Sequence, residues 1–142
     1  VQINAALRLG LWESSVRLIA DGRPLFDRAL ERFTGGADVQ WWWERLPDST
    51  AFHYFESDDG FRLLSSIVPD SKAKLFFFIE DDDEPFFPVL ESSAETATAL
   101  IGECFAFEYY LVPPDFSWIV GENHHKNLFA FGDPVARRVA AL

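Results

Sequence analysis

The segment Leu75-Phe76-Phe77-Phe78-Ile79 is a run of five consecutive apolar residues. A short apolar run of this kind predicts a strand that is buried on both faces. Such a strand lies inside a sheet, with other elements packed over both of its surfaces. It is also the longest apolar run in the chain, far below the roughly 20 residues that a membrane-spanning helix needs. The fold is therefore predicted to be built around this strand.

Towards the C-terminus, apolar residues recur with a period of two, which is typical of half-buried strands. Residues 123–126 are predicted to form the loop between the last two of these strands. Prolines at positions 85 and 88 place a further short strand, residues 86–90, at an edge of the sheet, because proline cannot donate to a central ladder. The residues that alternate along the other strands are Phe105, Phe107, Tyr109 and Leu111, then Phe116, Trp118 and Val120, then Phe129 and Phe131.

Two helices are predicted in the same half of the chain. Ser92 and Glu95 have the spacing of a capping box, which opens a helix that extends to about Glu103. Asp133-Pro134 opens a short terminal helix, whose arginines suit the negative end of the helix dipole. The apolar stripe of the first helix is Ala94, Ala97, Leu100 and Ile101.

Towards the N-terminus, Asp58-Asp59-Gly60 predicts a hairpin turn between strands at residues 52–55 and 61–68. Alternation of Val39, Trp41 and Trp43 predicts another strand. Helical spacing predicts one helix over residues 11–19 and a second that begins at Pro24 and ends at Gly35-Gly36.

These elements predict an α+β fold in one domain, residues 1–142, with a helical part at 1–36 and a sheet-rich, acidic part at 37–142. The mostly antiparallel sheet is expected to have about six to eight strands. One helix is inserted before the last strands, and a short helix ends the chain.

Cysteine content points to a reducing compartment. Cys104 is the single cysteine, so the chain forms no internal disulfide and no Cys-x-x-Cys zinc site. The start of the chain lacks the basic and apolar pattern of a signal peptide. We expect a cytoplasmic protein without a cofactor.

Charge is the most unusual global property. The chain carries 12 basic and 23 acidic side chains, a net charge of −11, and residues 1–47 are neutral. The whole excess therefore lies in residues 48–142. This charge disfavours direct contact with a nucleic-acid backbone and favours a basic protein partner.

Acidic residues and one tryptophan are the predicted partner contacts. Residues 80–84 are five consecutive acids, for which a solvated turn is the favoured interpretation, a contact surface for a basic partner the second and a hard-cation site the least favoured. Trp42 lies in a Trp-Trp-Trp triplet, for which core packing under the N-terminal helices is the favoured interpretation and an exposed ring that anchors a partner is the alternative. The predicted contacts are Asp58, Asp59, Glu80, Asp81, Asp82, Asp83, Glu84 and Trp42.

The second candidate site is the loop Glu122-Asn123-His124-His125. Imidazoles beside a carboxylate suit a general base or a metal site, to which His53 or a carboxylate of the acidic run would be a distant third ligand. The favoured alternative is a plain turn, in which Asn123 tolerates a positive φ. No third metal ligand lies nearby in sequence, and we assign no metal. The chain also has no nucleophile elbow, phosphate loop or dinucleotide fingerprint.

The segment from Glu108 to Asp133, with Trp118 and the Asn-His-His turn, resembles an uncharacterised family of small bacterial proteins. That resemblance implies no reaction. In composition and architecture the chain also looks like cytoplasmic immunity proteins that neutralise toxins. We therefore expect an acidic interaction module, such as an immunity protein or inhibitor of a basic toxin or nuclease, rather than an enzyme. A small metal- or ligand-binding protein or enzyme that uses the Glu122-Asn123-His124-His125 loop is the alternative.

Overall fold

A computed structural model describes residues 16–37, 39–57, 59–80, 86–103 and 107–142. Within these ranges, seven strands form one antiparallel sheet in the order β1-β4-β3-β5-β6-β7-β2. The α+β class, the strand number and the short C-terminal helix agree with the sequence prediction. The strands are β1 (Arg17–Leu18), β2 (Ala51–Tyr54), β3 (Leu75–Ile79), β4 (Val89–Ser92), β5 (Tyr109–Val112), β6 (Ile119–Glu122) and β7 (Asn127–Phe131).

Helices cover both faces of the sheet. They are α1 (Arg23–Thr34), α2 (Leu64–Ile67), α3 (Ala94–Gly102) and α4 (Val135–Ala140), with 3-10 turns at Trp42–Glu44 and Gly60–Leu63. One core cluster joins α1 and the first 3-10 turn to the sheet, and the other joins α2, α3 and α4 to its opposite side. We call these sides the α1 face and the α3 face.

β3 is the central strand that its sequence predicts. All five of its residues are buried, and it pairs with β4 and β5. Phe76 and Phe78 pack on the α1 face, whereas Leu75, Phe77 and Ile79 pack on the α3 face. The alternation of side chains along a strand explains why one apolar run serves two cores.

The helices agree well with their sequence signals. α1 begins with Pro24 in its first turn and ends at Gly35, whose φ of +70° suits glycine. α3 buries the four predicted residues, but its cap is Ser93, whose side chain accepts from the Thr96 backbone N–H at 3.1 Å. The capping prediction was therefore wrong by one residue, since Ser92 is the buried last residue of β4.

Three predictions near the N-terminus were wrong. Arg17–Leu18 is a strand paired with β4, although residues 11–19 were predicted to be helical; residues 1–15 lie outside the described parts. Trp42–Glu44 is a 3-10 turn rather than a strand. No strand follows Gly60 in the predicted hairpin. Leu64, Ile67 and Val68 are buried with helical spacing instead, and β2 pairs with β7.

The predicted edge strand at residues 86–90 also needs correction. Its counterpart β4 runs from Val89 to Ser92 and lies between β1 and β3. Pro88 precedes the strand, and its carbonyl accepts from the Ile79 backbone N–H at 3.1 Å. Proline is tolerated there because that position needs no donor in the ladder. Within the described ranges, no helix is both long and apolar enough to cross a membrane.

Candidate functional site

The β6–β7 hairpin has the loop that the sequence predicts, and Asn123 organises it. Its side-chain oxygen accepts from the backbone N–H groups of His125 (3.0 Å) and Asn127 (3.1 Å). Its own backbone N–H donates to the Asn127 carbonyl, while Lys126 has a φ of +63°. Asn123 is buried, whereas both histidines are exposed. Asn123 therefore holds the turn, and the positive φ falls on Lys126 instead.

Glu122 does not join the histidines. It lies on the α3 face, where its carboxylate accepts a 2.5 Å hydrogen bond from the hydroxyl of Tyr109, its register partner on β5. Both side chains are buried, and the backbone of Gly60 packs close to Glu122. Burial, followed by the neighbouring Glu122 carboxylate, raises the pKa of Tyr109 well above its ordinary value. The predicted four-residue site is thus divided between the two sides of the sheet.

The carboxylate beside His124 is Glu108, just before β5. The Nδ1 of His124 lies 2.6 Å from Glu108 Oε1, and the His124 backbone N–H donates to the same oxygen at 2.9 Å. Trp43 Nε1 donates to it at 3.2 Å. Because an ionised carboxylate only accepts hydrogen bonds, Nδ1 is the donor in this contact, and in a neutral imidazole Nε2 is then the acceptor. Glu108 is therefore a buried anchor that orients an exposed imidazole.

Two tryptophans complete the arrangement. The Trp41 ring lies 5.0 Å from the His124 ring, and the Trp43 ring lies 5.6 Å from the His125 ring. The two tryptophan rings stack 6.1 Å apart, and the two imidazoles are 4.0 Å apart. We call these four residues, Trp41, Trp43, His124 and His125, the Trp-His cluster.

Trp42 is a core residue, which agrees with the favoured interpretation of the triplet and contradicts its assignment as a partner contact. It is completely buried and packs against Phe78, Phe87 and Tyr110. The Trp42 and Tyr110 rings stack with their centroids 4.7 Å apart. The three tryptophans differ in burial because the 3-10 turn directs Trp42 into the core on the α1 face and leaves Trp41 and Trp43 half-buried. Core packing thus accounts for Trp42.

Glu80 is the one described member of the acidic run, and it lies close to the Trp-His cluster. Its backbone N–H donates to the Glu108 carbonyl at 3.0 Å, and Gln40 Nε2 donates to its side chain at 3.4 Å. Asp59 is elsewhere, at the start of the 3-10 turn that precedes α2. Asp58, Asp81, Asp82, Asp83, Glu84 and Cys104 lie outside the described residues.

Sequence reasoning missed Glu108 as a site residue, although a signal was present. Glu108 is the only charged residue between Glu103 and Asp115, and it interrupts a strongly apolar segment. One oxygen of this carboxylate accepts three hydrogen bonds, whereas Oε2 is buried and has no hydrogen-bond partner among the described residues. A charged side chain placed in such a segment has to be compensated by donors, here supplied by Trp43 and His124.

His53 does not contribute to the cluster. It packs against Phe55, with the rings 4.8 Å apart, and alternation places it on the α3 face of β2. Among the residues that the structure describes, no three His, Cys, Asp or Glu side chains gather in a group that would hold a metal ion.

Comparison with known proteins places the whole site within one family. No curated protein and no solved structure matches the chain. The match to the family covers residues 25–142, which include α1, the Trp-His cluster and Glu108. The chain belongs to DUF6756, a family of unknown function, in agreement with the resemblance to an uncharacterised family.

Proposed function

We propose that this protein is an interaction module for a basic protein partner, and that the Trp-His cluster receives a cationic side chain of that partner. The observation that carries the proposal is the 2.6 Å contact between His124 Nδ1 and the buried Glu108. It fixes the orientation of an exposed imidazole beside two tryptophans.

The chemistry of the cluster suits a guanidinium or ammonium group. Such a group donates hydrogen bonds, and His124 Nε2 accepts them. Tryptophan is the best of the aromatic rings for attracting a cation, and a contact of this kind contributes on the order of 1 kcal/mol. Trp41 and Trp43 are half-buried, so they are held in place yet remain accessible.

Charge supports the same partner. The net charge of −11 attracts basic proteins over long distances and raises the rate of encounter. The acidic run begins at Glu80, which bonds to Gln40 immediately before Trp41. We propose that acidic residues steer the partner and that the Trp-His cluster binds it. An immunity protein or inhibitor of a basic toxin or nuclease would use a surface of this type.

The experiment is an NMR titration with an arginine-rich peptide of about ten residues. We expect the indole N–H signals of Trp41 and Trp43 to shift, and the affinity to fall at least several-fold between low and physiological salt, because salt screens the attraction. An acidic peptide of equal length is the control ligand. Equal shifts with both peptides, or none with the basic one, would contradict the proposal.

Two variants distinguish binding by the Trp-His cluster from attraction by the overall negative charge. Trp41→Ala should weaken peptide binding about fivefold, the scale of one cation–π contact. Glu95→Gln removes one exposed negative charge on α3, on the opposite face of the sheet, and should leave binding nearly unchanged. If Glu95→Gln is as damaging as Trp41→Ala, the peptide is responding to net charge alone.

A second candidate function uses the same imidazole as a general base. A histidine whose Nδ1 is held by a carboxylate presents Nε2 for proton abstraction, which is the arrangement of a base and its orienting group. Neutral ligands rather than basic peptides would then bind. Saturation-transfer NMR with a library of neutral metabolites, compared between wild type and His124→Gln, distinguishes this activity from peptide binding.

A further inference from the structure

β2 is the outermost strand at one end of the sheet. It pairs with β7 on one side, and within the described parts of the chain no strand lies on its other side. Such an edge presents unpaired backbone groups that act as a template for another strand. The feature is independent of the Trp-His cluster.

The register identifies which backbone groups are unpaired. The Phe55 N–H donates to the Lys126 carbonyl at 2.8 Å, which continues the β2–β7 pairing. In an antiparallel pair, successive residues direct their N–H and C=O groups alternately towards and away from the partner strand. Ala51, His53 and Phe55 therefore face β7, whereas Phe52 and Tyr54 direct theirs outwards.

The side chains of this edge are unusually apolar and uncharged. Phe52 is 47% exposed and Tyr54 is 59% exposed, and both lie on the α1 face. Residues 49–55 contain no Asp, Glu, Lys, Arg or Pro. Natural proteins protect edge strands with charges, lysine or proline. None of these devices is present here, in a chain that is otherwise strongly acidic.

We propose that β2 pairs antiparallel with β2 of a second copy of this chain, about a two-fold axis that passes next to His53. Phe52 then faces Tyr54 of the second copy, and the outward N–H and C=O groups form four hydrogen bonds. The four aromatic side chains meet on one face. Thr50 faces Glu56 of the second copy, so like charges do not meet between these positions.

Charge favours a second copy over a basic protein at this edge. A basic partner is attracted to acidic surface, whereas residues 49–55 are neutral. A second copy offers the matching neutral and aromatic strand. Because both copies carry −11, they repel one another outside the contact, and salt should strengthen the dimer. That dependence is opposite to the one expected for a basic partner.

The experiment is sedimentation equilibrium from about 10 µM to 1 mM, a range suited to a modest interface. We expect a concentration-dependent doubling of mass that is stronger at high salt than at low salt. Phe52→Lys and Tyr54→Pro should each weaken the dimer at least tenfold. The first adds an edge charge, and the second removes an outward N–H without breaking the β7 ladder.

Ser65→Lys is the matched control, because it adds the same charge at an exposed position of α2 and should leave the dimer intact. A monomer at every concentration overturns the proposal and leaves the edge to a different protein. A dimer that survives both Phe52→Lys and Tyr54→Pro overturns it as well. Slow amide exchange of Phe52 and Tyr54 in the dilute monomer would show that the same chain covers this edge, which also overturns it.

Discussion

Two buried carboxylates on opposite faces of the sheet have different partners. Glu108 accepts from Trp43 and His124 and supports the Trp-His cluster. Glu122 accepts from the hydroxyl of Tyr109 within the core. Each is stabilised because donors replace the water that a charge loses on burial. The location of the donors, rather than proximity in sequence, decides which carboxylate belongs to the exposed histidines.

The Tyr109–Glu122 pair predicts loss of stability in alkali. The folded-state pKa of Tyr109 lies well above its unfolded value of 10.0, and that of Tyr110 is raised by burial and by Glu108. The protonated tyrosines contribute fully to the free energy of unfolding below about pH 10. This contribution is lost as the pH rises towards the folded-state pKa. The free energy of unfolding should therefore fall above pH 10, by up to roughly 1.4 kcal/mol per pH unit for each tyrosine.

Urea unfolding of Tyr109→Phe between pH 8 and 11 measures this effect. At pH 8 the variant should lose about 2 kcal/mol, because Glu122 stays buried without its donor. Its decline above pH 10 should be shallower than that of wild type, since one of the two raised tyrosines is absent. An unchanged alkaline slope would contradict the assignment to Tyr109.

Close packing between β5 and β7 requires glycine in the strand between them. A Cβ on Gly121 would overlap the Tyr109 carbonyl oxygen and would lie 2.8 Å from the Phe129 ring. Gly121→Ala should therefore lower the free energy of unfolding by about 3 kcal/mol, the scale of a severe overpacking change. Thermal and urea unfolding measure the loss.

Gly102 provides the matched control for this element-scale prediction. It is the last residue of α3, and among the described residues a Cβ there would meet only Phe61, at 3.6 Å. Gly102→Ala should be neutral or stabilising by up to about 1 kcal/mol, because alanine favours the helix. Similar losses for Gly102→Ala and Gly121→Ala would mean that general glycine effects, not contact with Tyr109, explain the result.

At the scale of the molecule, the charge of −11 has to be held within one compact fold. Like charges repel more strongly when they are brought together, which destabilises the folded state. Among the described residues, Glu91 pairs with Arg17 and Lys74, and Asp27 pairs with Arg23. The basic side chains of these pairs are exposed, so the pairs add little to the free energy of unfolding. Apolar packing, aromatic on the α1 face and largely aliphatic on the α3 face, is therefore the main stabilising contribution.

Salt should stabilise the monomer for this reason. Between about 0.01 and 0.15 M NaCl the screening length falls from roughly 30 to 8 Å, so repulsion between distant charges weakens. We expect the free energy of unfolding to rise by on the order of 1 kcal/mol in dilute, monomeric protein. The control is the same pair of salt concentrations at the pH where the net charge is zero. There the free energy of unfolding should not rise with salt. A salt effect that persists there would have another cause.

The sequence by itself determined the elements whose signals are local. The β3 run, the ends of α1, the buried stripe of α3 and the turn at Asn123 depend on neighbouring residues, so periodicity and glycine placement suffice to locate them. Only the tertiary structure decided which strands pair and which carboxylate meets His124. β2 pairs with β7 across more than seventy residues, and Glu108 reaches His124 because β5 and β6 are neighbours in the sheet. Such contacts depend on where distant segments bury their apolar faces, which no local pattern records.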